Sequence, residues 1–494
     1  MRRTKIIATL GPATDNVEIL RDLFEAGVDA VRLNFSHGDL EDHAQRVKMV
    51  REVRESLNRD IAIFADLQGP KMRLGRFVHG HISLSEGDKL ILDLDCPERE
   101  GNDRHVWFDY PGLIDTVAVG STLLLDDGKM RFSVEEVTAT SIRCRTETAG
   151  DLYGRKGISV VGGGVAADCL TEKDRADLVH ACRLGVDLIA VSFPASAEDI
   201  HKVRAAIDQE DSRIGVIAKI ERKQAIDDLD GIIEASDVVM VARGDLALEA
   251  GDYEVPVLQK HIIKQGRLYA TPVIVATHMM ESMVLSPTPT RAEVSDVANA
   301  VLDGADSVML SAETAMGKHP VTVVTKVASI CRRIEKHPHM HTSRFHEKHR
   351  YQNIDEAIAY SAMYLANRMD ISAVVALTET GRTPAMMSRV RSGIPIYALS
   401  RSAHARTWMA LMRDVYPVSF DLAAVTSSGQ LLKAVVLHLV QIGVLSKRDV
   451  FLLTHGDDIM IQGKTSTLKV YRVSDILAKD TIRVMHSIDS ESSV

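Results

Sequence analysis

Acidic and basic side chains follow directly on short apolar runs at several points of this chain of 494 residues. Lys219 and Glu221 come at the end of the run "IGVIA", and Asp245 comes shortly after the run "VVMVA". Two carboxylates from neighbouring runs are suitable oxygen ligands for Mg²⁺ or Mn²⁺. A partly buried ammonium group such as that of Lys219 can stabilise an anion that develops during a reaction. These residue types predict phosphoryl transfer, because positioning and charge neutralisation supply most of its catalysis.

Further residues that could contact a ligand stand at the ends of the other apolar runs. These residues are Arg32, Asn34, Ser36, His37, Asp66, Arg243, Gly244, Thr277, Ser311 and Glu313. Any one of them could simply face solvent, but solvation alone does not explain the whole set. Arg32, Arg73 and Lys156 are candidate phosphate contacts, although basic residues near glycine often only decorate loops. A structural ion pair between Lys219 and Glu221 is an alternative to catalysis, and the two roles are compatible.

The stretch "ADLQGPKMRLG" (65–75) places two cations just beyond a turn. Asp66 ends an apolar run, a Gln-Gly-Pro corner follows, and Lys71 and Arg73 lie two residues apart. Three interpretations fit these residues: a solvated loop, a phosphate site, or a positive charge that replaces a metal ion. The stretch by itself does not choose between them.

Apolar runs alternate with amphipathic segments along most of the chain, which is the pattern of an α/β protein. Three such runs precede residue 70 and five follow residue 167. Eight βα units is the number found in a closed (β/α)8 TIM barrel, whose active site lies at the C-terminal ends of its strands. The polar residues above would therefore share one rim. The predicted catalytic domain comprises residues 1–69 and 168–345.

The rest of the chain predicts two further domains. Residues 70–167 are rich in Gly, Asp, Val and Thr and contain turn signals such as "EGD" and "DDGKM". This composition is typical of hairpins, so we expect an inserted β-rich lid, a small β-barrel domain. Residues 346–476 alternate again and predict an open α/β domain, whose strands would be "ISAVVALT", "PIYALS", "VYPVSF" and "VFLLTHG". Residues 477–494 predict a disordered tail. The His-rich stretch 335–353 is irregularly spaced, and we interpret it as a solvated linker rather than a metal site.

The bulk properties exclude several classes of protein. The net charge of −9 argues against sequence-independent binding to nucleic acids, which requires a basic surface. Five widely spaced cysteines without a CxxC pair indicate neither a disulfide framework nor a zinc site. The first apolar run is too short for a signal peptide, and no run reaches the ~18 apolar residues of a membrane span. We therefore expect a cytoplasmic protein that binds neither nucleic acid nor membrane.

At these positions the sequence resembles the pyruvate kinases over nearly its whole length. The shared motifs include "KIIATLGPAT", "VRLNFSHG", "DLQGPKMR", "AKIER", "VMVARGDL", "PTRAEVSDVANAVLDGAD" and "MLSAETA". Their number and order make the resemblance specific, and the family has the same barrel, inserted lid and C-terminal α/β domain. The resemblance implies the last step of glycolysis, in which phosphoenolpyruvate and ADP give pyruvate and ATP. It also implies Mg²⁺ or Mn²⁺ as cofactor and a homotetramer.

The resemblance further implies roles for individual residues. Glu221 and Asp245 would bind the divalent ion. The catalytic residues would be Lys219, which neutralises charge on the phosphoryl group and the enolate, with Arg32, Arg73, Thr277 and Ser311. The substrate-binding residues would be Arg32, Lys219, Gly244, Asp245 and Thr277. The nucleotide-binding residues would be Asn34, His37, Arg73 and Lys156. A proton relayed by water could reach the enolate near Thr277 and Ser311.

One position departs from the commonest pattern of the family. Potassium-dependent members hold a monovalent cation among the positions of Asn34, Ser36, Asp66 and the carbonyl of Leu67, and they have Glu at the position of Lys71. An ammonium group is a compact charge on a flexible stem, so Lys71 could bring its own charge to this region. We therefore expect that the enzyme does not require K⁺.

The C-terminal domain resembles the regulatory domain of the family. The segment "VVALTETGRTP" (374–384) places hydroxyls and an arginine between a strand and a predicted helix start. The residues concerned are Thr378, Thr380, Gly381, Arg382 and Thr383. These groups suit a phosphate, although an ordinary Thr-capped helix is the alternative. We expect a phosphorylated effector, either a sugar phosphate or a nucleotide, over which the segment "QGKTSTLK" (462–469) could close.

Two other functions fit parts of the sequence. A metal-dependent lyase or aldolase that uses the pyruvate enolate needs the same acids, metal and cation but no ADP. The lid with Lys156 argues against this function. A catalytically inactive sensor of sugar phosphates would be expected to lack the metal or lysine positions, but Lys219, Glu221 and Asp245 are all intact.

Overall fold

The computed structural model describes residues 1–163, 168–341, 351–421, 428–456 and 465–478. Within this part of the chain, eight parallel strands close into a barrel. They are β1 (Lys5–Thr9), β2 (Ala30–Asn34), β3 (Ala62–Asp66), β12 (Leu188–Val191), β13 (Gly215–Ile220), β14 (Val238–Ala242), β15 (Val273–Ala276) and β16 (Ser307–Leu310). Their residues are almost all buried, because one face of each strand meets the barrel interior and the other meets a layer of helices. The predicted fold class is confirmed.

An inserted domain lies between the third and fourth barrel strands. Its strands are β4 (His81–Leu84), β5 (Lys89–Asp93), β6 (His105–Val106), β7 (Thr122–Leu125), β8 (Met130–Val137), β9 (Ser141–Thr146), β10 (Gly150–Tyr153) and β11 (Ile158–Val160). They form a six-stranded sheet in the order β11-β7-β8-β9-β5-β6 and a two-stranded sheet of β4 and β10. β3 pairs directly with β12, so the insertion leaves the barrel without interrupting its sheet.

Amphipathic helices cover the sheets of the barrel and of the C-terminal domain. The helices of the described residues are α1 (Val17–Ala26), α2 (Leu40–Ser56), α3 (Leu113–Thr116), α4 (Glu172–Leu184), α5 (Ala197–Gln209), α6 (Gln224–Asp227), α7 (Leu229–Ala235), α8 (Arg243–Ala250), α9 (Val255–Leu268), α10 (Arg291–Asp303), α11 (Ala312–Ala315), α12 (Pro320–Ile334), α13 (Ile354–Ala366), α14 (Arg382–Ser388), α15 (Ala403–Met409) and α16 (Ser428–Gln441). A capping box of Thr171 and Asp174 begins α4. No helix in the described part of the chain is both long enough and apolar enough to cross a membrane.

The C-terminal domain contains one five-stranded sheet. Its strands are β17 (Ala373–Leu377), β18 (Ile396–Ser400), β19 (Val415–Ser419), β20 (Val450–His455) and β21 (Thr467–Arg472), in the order β19-β18-β17-β20-β21. The first four are parallel and were predicted, whereas β21 runs antiparallel to β20 and was not. The predicted tail from residue 479 onward, residues 342–350 of the His-rich stretch and residues 457–464 lie outside the described residues.

Residues at and just after the end of α15 close the N-terminal mouth of the barrel. Leu411 is fully buried among the side chains of the barrel interior, and Trp408 packs beside it. Ser307 Oγ, at the first residue of β16, donates a hydrogen bond to the Leu411 carbonyl at 2.9 Å. Trp408 Nε1 donates to the carbonyl of Asp237, just before β14, at 3.3 Å. The C-terminal domain therefore supplies part of the barrel's own core.

Charged groups are also buried between the barrel and the C-terminal domain. Arg389 forms a two-pronged ion pair with Asp306, and both side chains are almost fully buried. Asp414 is 2% exposed, with Arg3 at 3.5 Å and Arg413 at 3.4 Å from its carboxylate oxygens. Neither of these oxygens accepts a hydrogen bond among the described residues. Burial raises the pKa of the Asp414 carboxyl to about 6, although the neighbouring arginines lower it.

Candidate active site at the C-terminal rim of the barrel

The Lys219 ammonium is fixed inside the rim by three oxygen atoms. Its Nζ lies 3.2 Å from Asp66 Oδ1 at the end of β3 and 2.9 Å from Glu221 Oε1. It also donates a hydrogen bond of 2.6 Å to Ser192 Oγ, just after β12. Burial alone would lower the pKa of Lys219, but the Asp66 and Glu221 carboxylates raise it above its usual value. The strand ends therefore deliver a permanent positive charge to the mouth of the barrel.

Arg32 supplies a second cation beside the first. Its Nε donates to Asp66 Oδ2 at 2.6 Å, and its Nη1 donates to Thr9 Oγ1 at 3.3 Å. Burial alone would raise the pKa of Asp66, but Lys219 and Arg32 lower it, so this carboxyl is ionised between the two cations. A guanidinium carries five N–H donors, so Arg32 keeps donors for an anionic ligand.

Two carboxylates stand at neighbouring strand ends, as the sequence predicts for a divalent ion. Glu221 follows β13, is 1% exposed, and accepts a 2.8 Å hydrogen bond on Oε2 from the Phe193 N–H. Asp245 lies in the first turn of α8, just after β14. Burial and the nearby Asp245 charge raise the pKa of Glu221 to about 7, against the lowering effect of Lys219. Hard oxygen donors from two anionic side chains fit Mg²⁺.

Thr277 follows β15 in a strained backbone conformation. Its φ is 70°, and the next residue, His278, has a φ of 54°. Such values are unfavourable for non-glycine residues, above all for a β-branched one, by about 1–3 kcal/mol. The Gly244 N–H donates to Thr277 Oγ1 at 2.9 Å, and Arg243 Nη2 donates to the Thr277 carbonyl at 2.6 Å. These bonds hold the Thr277 side chain at the rim.

Arg243 is itself locked by an acid that the sequence did not single out. Its Nη1 and Nη2 each lie 2.7 Å from one oxygen of Asp296 on α10. The sequence placed Arg243 at the rim but gave it no role, and the spacing to Asp296 carries no local signal. The structure shows Arg243 as the clamp on the Thr277 turn.

The lid brings further charges over the rim. The Lys71 Nζ lies 3.2 Å from Asp245 Oδ1 and 3.9 Å from Asp127 Oδ1 of the lid, so it bridges the two domains. Lys156 Nζ lies 2.7 Å from Asp126 Oδ1. The Arg73 side chain donates to the carbonyl of Arg155 at 3.2 Å. Lys156 and Arg73 therefore lie against lid oxygens, whereas Lys71 lies between the lid and the barrel.

Oxygen atoms predicted for a monovalent cation have partners within the chain. Asn34 Oδ1 accepts a 3.2 Å hydrogen bond from the Ser36 N–H, and the Leu67 carbonyl accepts one of 2.7 Å from Ser192 Oγ. Among the described residues, the Lys71 ammonium contacts Asp245 and Asp127 rather than these oxygens.

His37 lies within the same positive field. Burial lowers its pKa, and so do the charges of Arg73, Arg32 and Lys71. Three of the predicted cations therefore face the turn after β2. Ser311 follows β16 at the rim, whereas Glu313 is fully buried and accepts backbone N–H groups from Met280 and Ser311.

Comparison with known proteins decides the family. The family model "Pyruvate kinase, barrel domain" matches residues 1–324, and "Pyruvate kinase, alpha/beta domain" matches residues 356–471. The chain belongs to the pyruvate kinase family. It is 45% identical to the pyruvate kinase of Haemophilus influenzae, with 94% of this chain and 97% of that protein covered. It is 45% identical to pyruvate kinase II of Salmonella typhimurium, with 96% and 99% covered. It is 39% identical to the pyruvate kinase of Geobacillus stearothermophilus, with 97% and 81% covered.

The reaction predicted from the sequence is thereby confirmed. The enzyme is a phosphotransferase of glycolysis, and its substrates are phosphoenolpyruvate and ADP. Pyruvate kinases use Mg²⁺. A lyase, an aldolase and an inactive sensor are the wrong interpretations of the sequence.

The predicted effector loop of this pyruvate kinase joins β17 to α14. Thr378 Oγ1 accepts a hydrogen bond of 2.9 Å from the Gly381 N–H, and Thr383 Oγ1 lies 2.7 Å from Thr465 Oγ1. Arg382 Nε lies 3.4 Å from Asp355 Oδ2. Thr380 and Arg382 also line a cavity of about 660 Å³ against the barrel. Thr465 belongs to the segment that the sequence predicted to close over this loop.

Proposed function

We propose that phosphoryl transfer takes place at the C-terminal rim, with Lys219 as the central catalytic residue. The observation that carries this proposal is the fixed, charged Lys219 ammonium at the ends of β3, β12 and β13. As the phosphoryl group leaves phosphoenolpyruvate, negative charge develops on the transferred group and on the enolate oxygen. A cation already in place stabilises this charge without reorganisation. Arg32 has N–H groups left to bind the phosphoryl group.

Glu221 and Asp245 are proposed to hold the divalent ion. When bound there, the ion would supply neutralisation of the negative charge that develops during phosphoryl transfer. The chain's own residues orient the rest of the substrate: Thr277 and the backbone at Gly244 and Asp245 lie at one end of α8 and would bind the carboxylate. Thr277 and Ser311 stand on the proposed route by which a water-relayed proton reaches the enolate.

The nucleotide is proposed to bind between the rim and the lid. Arg73 and Lys156 would contact its phosphates, with Asn34 and His37 on the barrel side. The low pKa of His37 favours its neutral form, which leaves positive charge to the surrounding Arg73, Arg32 and Lys71. The contacts of Lys71 with Asp245 of the barrel and Asp127 of the lid support this position, because they hold a cation between the two domains.

Independence of K⁺ is a further part of the proposal. Asn34 Oδ1, the Leu67 carbonyl and the Asp66 carboxylate, three of the predicted ligands of a monovalent cation, are engaged by N–H, O–H and cationic groups of the chain. Lys71 adds a positive charge beside Asp245, within electrostatic reach of the turn after β2. Activity in buffer with a bulky inert cation should therefore show no strong saturable rise on addition of KCl.

Binding of an allosteric effector and assembly into an oligomer are a separate part of the proposal. The hydroxyls of Thr378, Thr380 and Thr383 with Gly381 and Arg382 would bind a phosphorylated effector, and the adjoining cavity offers room for it. Screening sugar phosphates and nucleotides at subsaturating phosphoenolpyruvate tests this proposal, and an Arg382→Ala variant that keeps full activation contradicts it. We also propose a cytoplasmic homotetramer, which light scattering of the purified protein tests.

The Lys219→Met variant tests the catalytic proposal. Methionine keeps most of the volume of lysine but removes its charge, so we expect kcat to fall by at least about 100-fold with the fold retained. Pyruvate is measured by coupling to lactate dehydrogenase, with and without ADP, and circular dichroism monitors the fold. Turnover close to that of the wild type would refute the role given to Lys219.

A further inference from the structure

Ser192, the residue directly after β12, contacts both Lys219 and the chain segment that connects β3 to the lid. Ser192 is 1% exposed. Its Oγ accepts a hydrogen bond of 2.6 Å from Lys219 Nζ and donates one of 2.7 Å to the Leu67 carbonyl. Nothing in the sequence singled out this serine, because a lone Ser after an apolar run is common.

The hydrogen bonds of Lys219 show what this contact controls. An ammonium group has three N–H donors, and here they face Asp66, Glu221 and Ser192. Ser192 makes the shortest of the three contacts and is the uncharged one. Without it, two carboxylates alone would set the position of a side chain that has four rotatable bonds.

The direction of the Ser192 hydroxyl is also fixed. A hydroxyl has a single donor, and the Leu67 carbonyl takes it, so only lone pairs face Lys219. The next residue, Phe193, has a φ of 57° and donates its N–H to Glu221. The turn of Ser192 and Phe193 therefore holds both the lysine and a proposed metal ligand.

The same serine packs against the start of the lid connection. Gly69 has a φ of 69°, and a Cβ atom there would lie 2.6 Å from Ser192 Cβ. The Gly69 N–H is held by Asp174 at 3.0 Å. A movement of the chain between Leu67 and Gly69 thus reaches Lys219 through one hydroxyl.

We propose that Ser192 is a positioning residue for phosphoryl transfer, which holds the Lys219 ammonium and couples it to the lid connection at Leu67 and Gly69. It acts through Lys219 and touches no substrate itself. The inference rests on the catalytic role proposed for Lys219 and deepens it.

The Ser192→Ala variant is the direct test. Loss of one hydrogen bond to a charged group corresponds to about a 10- to 100-fold loss in kcat, with a KM for phosphoenolpyruvate changed by less than about 3-fold. Exchange of the pyruvate methyl protons with D₂O, followed by NMR in the presence of ATP and Mg²⁺, should fall by a similar factor. This exchange requires the enolate, so a merely structural role would leave it unchanged in correctly folded protein.

Ser307→Ala is the matched control. Ser307 is equally buried, and its hydroxyl donates to a backbone carbonyl at 2.9 Å, but at the opposite mouth of the barrel. It should lower the unfolding temperature about as much as Ser192→Ala and leave kcat and proton exchange unchanged. Ser192→Cys, which keeps the volume and a weaker hydrogen-bonding group, should fold and show an intermediate kcat.

The outcomes separate this inference from the function on which it rests. Wild-type kcat in both Ser192 variants, with Lys219→Met inactive, overturns the role of Ser192 alone. Wild-type turnover in Lys219→Met overturns the catalytic proposal itself. An equal loss of kcat in Ser307→Ala would show that the effect is one of general stability, and this also overturns the inference.

Discussion

The exchange Lys71→Glu is expected to convert a potassium-independent enzyme into a potassium-responsive one. The Lys71 ammonium lies 3.2 Å from Asp245 Oδ1, and each side chain is 26% exposed. Coulomb's law gives about 5 kcal/mol for two unit charges at this distance and an effective dielectric constant of about 20. Exposure to solvent screens the pair and leaves an interaction free energy of about 2 kcal/mol, which corresponds to about a 30-fold change in kcat/KM. Because glutamate replaces attraction with repulsion, kcat/KM without K⁺ should fall by at least this factor.

The assay follows pyruvate formation in buffer whose only monovalent cation is tetramethylammonium, with KCl titrated in. We expect a flat response of the wild type and a saturable rise of about tenfold for Lys71→Glu, because K⁺ restores one of the two lost charge units. Lys71→Met should have a lowered kcat/KM, and this value should change little on addition of KCl. Lys202→Glu is the matched control, since Lys202 pairs with Asp199 at the same 3.2 Å on the remote helix α5.

Three results would refute the reasoning. A strong saturable rise of wild-type activity with KCl would show that Lys71 does not replace the ion. A flat response of Lys71→Glu would show that the charge at this position does not govern the requirement. A rise in Lys202→Glu equal to that of Lys71→Glu would mark a general salt effect.

Two further changes address the interdomain contact and the lid. Asp414→Asn should be stabilising in a pH-dependent way, because burial raises the pKa of Asp414 to about 6 despite Arg413. The contribution of this carboxyl to wild-type stability is therefore lost as the pH rises from about 4 to about 6, and the variant lacks this loss. The free energy of unfolding of the variant, measured with urea, should exceed that of the wild type by an amount that grows by about 2–3 kcal/mol over this pH range. A difference that stays constant with pH would contradict the pKa assigned to Asp414. Lys156→Met should raise the KM for ADP about tenfold, as expected for one lost charge-assisted contact, and leave that for phosphoenolpyruvate unchanged. Lys129→Met, which removes the more exposed partner of Asp126, is its control, and equal effects of the two would argue against a nucleotide contact.

The sequence predicted the fold well because its signals are local and repeated. Apolar runs of five or so residues between amphipathic helices specify a parallel sheet, and their count specified the closed barrel. β21 was missed because it is an edge strand with no buried residue, so it has no apolar run. Its pairing with β20 is set by tertiary contacts.

The sequence predicted which residues form the site, but not the contacts that join them. Lys219, Glu221 and Asp245 could be found because each lies at or shortly after the end of an apolar run, where a barrel places its chemistry. The bond from Ser192 to Lys219 spans 27 residues, and the clamp of Arg243 on Asp296 spans 53. Such contacts depend on how neighbouring strands and helices meet, and no local pattern encodes them. The contact of Lys71 with Asp245, across 174 residues, is of the same kind.

The closure of the barrel by Leu411 has a consequence for how the protein is made. Ser307 and Leu411, which meet at this closure, are 104 residues apart. At about 5–20 residues per second, a ribosome needs about 5–20 s to extend the chain from one to the other. During this interval all eight barrel strands have been synthesised, but the N-terminal mouth of the barrel is open to water. A nascent chain at this stage presents apolar surface to solvent, so we expect it to engage chaperones until the residues of α15 have emerged.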